Sequence, residues 1–110
     1  MKKIIPLIIA VLAIPALSVS AANGKALFEK HCAKCHGKDG KGHTFMGKRF
    51  HAKDYTNPAA QKELKDEAIV KAIKEGFKEK SGREVMWPTK GLSDSDIKGL
   101  VQYMRSFVKK

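Results

Sequence analysis

Cysteine is scarce in this 110-residue chain: it has two, too few for the disulfide framework of a small secreted scaffold. Acidic residues are also few, 11 Asp+Glu against 22 Lys+Arg, giving a formal charge of +11. No stretch alternates apolar and polar residues long enough to propose a sheet, and there is no internal repeat or low-complexity linker. The length allows one domain, which argues against a large enzyme with a deep apolar pocket of its own. Hydrophobic residues at 43% and charged residues at 30% exclude a mostly disordered chain. What is left is a small basic domain that needs outside help to complete its core.

The N-terminus follows a recognisable order. Lys2 and Lys3 precede an unbroken apolar run of 14 residues, Ile4 to Leu17, and small residues close it as Ser18-Val19-Ser20-Ala21-Ala22. This predicts a secretory signal peptide over residues 1–22, cut after Ala21 or Ala22, ahead of a domain at 23–110. As a helix the run rises about 21 Å, short of the roughly 30 Å hydrocarbon core, and Pro6 and Pro15 weaken it further. An uncleaved anchor is the alternative, since the tract extended to Ala22 reaches 19 residues. It holds no cysteine for a lipid. The leader takes two lysines and no acid with it, so basicity belongs to the folded part. Export to the periplasm removes the chain from nucleic acid. An acidic protein partner, or transient contact with an anionic membrane, is then the physical reading of the charge; lysines serving solubility alone are the alternative.

The rest is helical in pattern. Asn23 is placed to cap a first helix carrying Ala26, Leu27 and the Gly24/Phe28 pair. A Gly- and Lys-rich loop spans 37–57, and a short helix begins at Pro58. Asp66 opens a stretch with Ile69, Val70 and Ile73 on one face and Gly76 just past its end. A second loop runs from Lys78 to Gly91. The last helix has Ser93 as N-cap with Asp96 three residues on, and Leu92 and Ile97 spaced as a staple. Leu100, Val101, Met104, Phe107 and Val108 follow at helical spacing. The expected fold is all-α.

The chemistry concentrates in Cys32-Ala33-Lys34-Cys35-His36. Two thiols three apart face one side of a short turn, where they can add to the two vinyl groups of a haem while the next imidazole reaches the iron. Three rivals stand beside it. A thioredoxin-like dithiol wants a βαβ setting, which is missing. A zinc site could draw on His31, His36, His43 and His51 but lacks a second paired ligand group. A plain disulfide would leave His36 without a role.

On these residues the mature chain resembles a small monohaem class I cytochrome c, over about residues 23–108. Gly24-x-x-x-Phe28 is similar to the family's N-terminal helix, and Leu100-x-x-Tyr103 to the C-terminal helix that crosses it, with Gly99 placed to help. Asp66-Glu67-x-Ile69, Ala72-Ile73 and Gly76 are similar to the middle helix. Met86-x-Pro88 followed by Leu92-Ser93-Asp94 resembles the axial-methionine loop.

The resemblance implies three to five helices around one covalently bound haem c, tethered by Cys32 and Cys35. It also implies His36 and a methionine as axial ligands. Met86 is the first choice for that methionine, from its loop and nearby proline; Met46, His43 and His51 are the competitors, and Met104 is placed as core. Two departures stand out. No proline lies between the motif and Pro58 to supply the carbonyl that holds the proximal histidine, and Trp87 separates Met86 from its proline. Trp87, Tyr55, Arg49 and Lys53 are candidates for the haem propionates. The implied function is a one-electron carrier without enzymatic activity, docking acidic redox partners through Lys34, Lys38, Lys48, Lys80 and Lys90. The alternatives are a haem-based ligand sensor or an electron-transfer subunit of a larger oxidoreductase.

Overall fold

The computed structural model describes Lys3, Ile4, Pro6 and residues 21–108. The apolar tract of the expected leader lies outside them, apart from those few positions. Six helices occur among the described residues: α1 (Ala21–His31), α2 (Ala33–His36), α3 (Phe45–Arg49), α4 (Pro58–Glu63), α5 (Asp66–Glu75) and α6 (Asp94–Arg105). One antiparallel hairpin, β1 (Phe77–Lys78) with β2 (Glu84–Met86), interrupts them. The all-α expectation holds for the architecture, with two amendments. Single-turn helices raise the count above three to five, and the loop 78–91 contains half of a hairpin. None of the described helices is long and apolar enough to cross a membrane.

The organising contact is the crossing of α1 and α6. A Cβ built on Gly24 would overlap the carbonyl oxygen of Gly99, so the two helices touch backbone to backbone. Below the crossing Phe28, 2% exposed, packs against Tyr103 and Phe107 with ring centroids 5.4 and 5.2 Å away. Burial of that ring contributes about 2–3 kcal/mol. Phe107 lies past the end of α6 rather than within it, and its ring closes under Gly40. Ile69 and Ile73 of α5 and Ile97, Leu100, Val101 and Met104 of α6 complete the buried cluster.

Local signals place the helices. Ser93 caps α6 by accepting from Asp96 N–H, and the Asp96 carboxylate accepts from Ser93 N–H, a full capping box. The Asn57 side chain accepts from Ala59 and Ala60 N–H, and Pro58 takes the first helical position of α4. Gly76 ends α5 at φ 80°. Asn23 is not the N-cap: Ala21 and Ala22 already belong to α1, so Asn23 lies within the helix. The loop expected over 37–57 contains α3, capped by Thr44 accepting from Gly47 N–H at 2.8 Å.

Arg105, at the end of α6, fastens the corner between α4 and α5. Its guanidinium donates to the Gln61 carbonyl at 2.6 Å, the Gln61 side chain at 2.9 Å, the Leu64 carbonyl and Asp66 at 2.8 Å. Leucine at this position orphans two backbone carbonyls. Arg105→Leu is expected to cost about 2 kcal/mol, read from the midpoint of a denaturant titration.

Candidate functional site

Cys32 follows α1 directly, and its carbonyl accepts from Cys35 and His36 N–H at 3.2 and 2.9 Å. That single turn, α2, puts both thiols and the imidazole in one small region. Both thiols are free. Burial pushes the Cys32 thiol up to about 11, with a smaller contribution from Cys35, and burial also raises Cys35 against the lowering effect of Lys34. Neither is poised as a thiolate at neutral pH. Among the described residues no three His, Cys, Asp or Glu side chains gather for a metal ion, so the histidines do not join the thiols as a zinc site would need.

Thr44 supports the turn from outside. Its hydroxyl lies 2.8 Å from the Lys34 carbonyl and 2.7 Å from the Cys35 carbonyl, so α3 is capped and tied to α2 by one residue. Gly47 makes the approach possible, because a Cβ there would overlap the Cys35 carbonyl.

His36 is 9% exposed, and burial lowers its proton affinity while the Lys53 carbonyl partly restores it. Nδ1 lies 3.4 Å from that carbonyl. A carbonyl only accepts, so the bond puts the ring proton on Nδ1 and leaves Nε2 as the lone-pair nitrogen. The proline carbonyl missing from the sequence is thus replaced by the main chain of Lys53. The Tyr55 ring stacks on the imidazole at 4.5 Å and 16°, with its hydroxyl 3.4 Å from Nε2, as long a contact as the one at Nδ1. Burial raises the Tyr55 phenol, which stays protonated.

The other candidates divide. Met86 ends β2, opposite Phe77 on β1, and is half-buried against the hydrophobic cluster that Cys32 and Tyr55 also border. It is therefore on a strand, not in the loop expected for it. Met104 is buried in α6 as core. Met46 sits in α3, not in a loop. His43 is exposed, and His51, at φ 57°, pairs with Glu79. Trp87, 51% exposed, meets Phe50 edge-on at 5.1 Å; Arg49 and Arg83 lie over the same ring, and Arg83 donates to the Arg49 carbonyl. The sequence reading missed Gln61, whose amide ties Tyr55 to α6, and no local pattern marks it.

The donor set fits a covalently attached haem. Two unpaired thiols lie one turn apart, and the adjoining imidazole has its Nδ1 engaged and its Nε2 available.

Comparison with known proteins agrees. The family model described as Cytochrome c matches residues 21–107. Among solved structures the chain is similar to the KustC0563 c-type cytochrome, at 34% identity and TM-score 0.68 over 78% of this chain and 98% of that one. A point mutant of Kustc0563 matches at 35% identity and TM-score 0.66, over 77% and 98% of the two chains. The curated proteins give no significant match. A family match over nearly every described residue, joined to structural neighbours at this identity, makes the chain a member of the cytochrome c family: an electron carrier with a covalently bound haem c.

Proposed function

We propose that this chain is a one-electron shuttle of the periplasm whose haem iron is held by His36 on one side and Met86 on the other. Bound haem supplies a one-electron iron couple, and a thioether opposite an imidazole favours the ferrous state. The chain's own residues do the rest. Cys32 and Cys35 tether, His36 and Met86 ligate, and the cluster around Phe28 excludes water. With His36 and Met86 both on the iron, no substrate would have a place there, which favours a carrier over an enzyme or a gas sensor.

One observation carries the choice of Met86. It borders the same buried cluster as Cys32 and Tyr55, whereas Met46 lies on α3 beside the turn that presents the thiols. The strand holding Met86 is also well anchored. A Cβ on Gly76 would lie 2.6 Å from the Met86 carbonyl, and Thr89 N–H donates to the Ile73 carbonyl at 2.8 Å. In Met86→Ala the ferric protein is expected to lose the weak red charge-transfer band of sulfur-ligated haem, and its potential to fall, while Met46→Ala keeps both. A band retained in Met86→Ala would refute the assignment.

Acidic redox proteins are the partners this surface suits. Lys34, Lys38, Lys48, Lys80 and Lys90 are all exposed, and such a field speeds encounter in a salt-dependent way without tight binding. Export is supported by the order Lys2-Lys3, apolar run, Ala21-Ala22.

A further inference from the structure

His36 is held from three sides, and two of them belong to one short stretch. The Lys53 carbonyl meets Nδ1 and the Tyr55 ring covers one imidazole face, while Phe28 approaches at 6.3 Å from the helix crossing. Upstream the stretch is pinned by main chain: Ala52 N–H donates to the Gly47 carbonyl and Tyr55 N–H to the Gly40 carbonyl, both at 2.8 Å. Asp54 closes a turn by accepting from the Thr56 N–H at 2.9 Å and from its hydroxyl. The downstream anchor is a side chain. Gln61, 8% exposed, donates through Nε2 to the Tyr55 carbonyl at 2.8 Å and to the Met104 carbonyl at 3.0 Å. Its Oε1 accepts from Arg105 at 2.9 Å. Both amide protons and the oxygen are engaged, and the opposite flip would set oxygen against two carbonyls and NH2 against a guanidinium.

We infer that Gln61 is a positioning residue for His36. It holds the turn that carries the Lys53 carbonyl and the Tyr55 ring, and so governs how firmly the imidazole is gripped. This rests on His36 being an iron ligand. The Nδ1 contact is at the long end of hydrogen-bonding range, where a small displacement of the turn changes it by a large fraction. An imidazole whose Nδ1–H bond weakens is a poorer donor, and ferric iron loses more by that than ferrous iron, so the potential rises. A glutamine that merely filled the core would alter stability and leave the imidazole as it was.

The test uses the haem-loaded protein. Gln61→Leu is compared with wild type by potentiometric titration and by paramagnetic NMR of the His36 ring N–H, with Ala68→Gly, exposed on α5 and destabilising through helix propensity alone, as a stability control outside the buried cluster. In Gln61→Leu the potential is expected to rise and the ring proton to exchange about tenfold faster, the size of one lost hydrogen bond. Ala68→Gly is expected to change neither. Should Gln61→Leu not accumulate, Gln61→Met keeps the side-chain length, removes the donation to Tyr55 without adding a charge, and is read the same way. Unchanged potential and exchange would overturn the inference while leaving the ligand assignment intact. Absence of hyperfine-shifted His36 signals in the wild type would overturn the ligand assignment, and the inference with it.

Discussion

Serine at both Cys32 and Cys35 is expected to give a colourless protein when expressed with a working haem-ligation system. A hydroxyl does not form the thioether that a thiol forms with a vinyl group, so both tethers are lost at once. The loss reaches beyond colour. Mature domains of this size bury too little to be comfortably stable, and a covalent prosthetic group completes the core. Intact mass should lack the increment of one haem, the denatured band should fail a haem stain, and yield should drop. Each single variant keeps one tether and should retain part of the signal. A haem-sized increment surviving in the double variant would refute the attachment site.

A single methyl group at position 24 is expected to do the second greatest harm. Two effects compete in Gly24→Ala. Alanine is the better helix former by about 1 kcal/mol. Its Cβ, however, lands on the Gly99 carbonyl oxygen, a backbone atom with no rotamer to escape into. Parting α1 from α6 loosens Phe28 against Tyr103 and Phe107 at the contact that organises the fold, so overpacking wins. The net loss should be about 1–3 kcal/mol, a large share of the stability of a small domain. Chemical denaturation of the haem-loaded protein checks it, with exposed Lys25→Ala on the same helix as a control expected within about 0.5 kcal/mol of wild type. A stabilised Gly24→Ala would show that the helices do not cross this closely.

What the sequence made legible was local. Ser93 with Asp96, Pro58, and Gly76 each mark an end through chemistry confined to a few residues, and all three ends fall where expected. The thiols and His36 were legible because one helical turn fixes their relations without help from the rest of the chain. What stayed hidden was short or distant. At five residues α3 is too brief to show periodicity, although Thr44 three before Gly47 was a usable cap signal. The hairpin strands have two and three residues, too few to alternate, and only Gly82, whose N–H closes the turn onto the Glu79 carbonyl, marks it. The acceptor for His36 is a main-chain oxygen 17 residues away. Gln61 reaches Met104 across 43 residues, and no local pattern encodes that.

The main-chain oxygen has a consequence for how this protein can vary. A grip on the His36 ring that depended on a particular side chain could be erased by one codon change. Here the gripping atom belongs to every amino acid alike, and the lysine bearing it points into solvent. As far as this grip is concerned, the side chain at position 53 can change while the tautomer of His36 stays fixed. Sequence change is instead constrained at the places that aim the peptide unit: Gly42, whose Cβ would crowd the Ala52 carbonyl, and the turn that starts at Asp54.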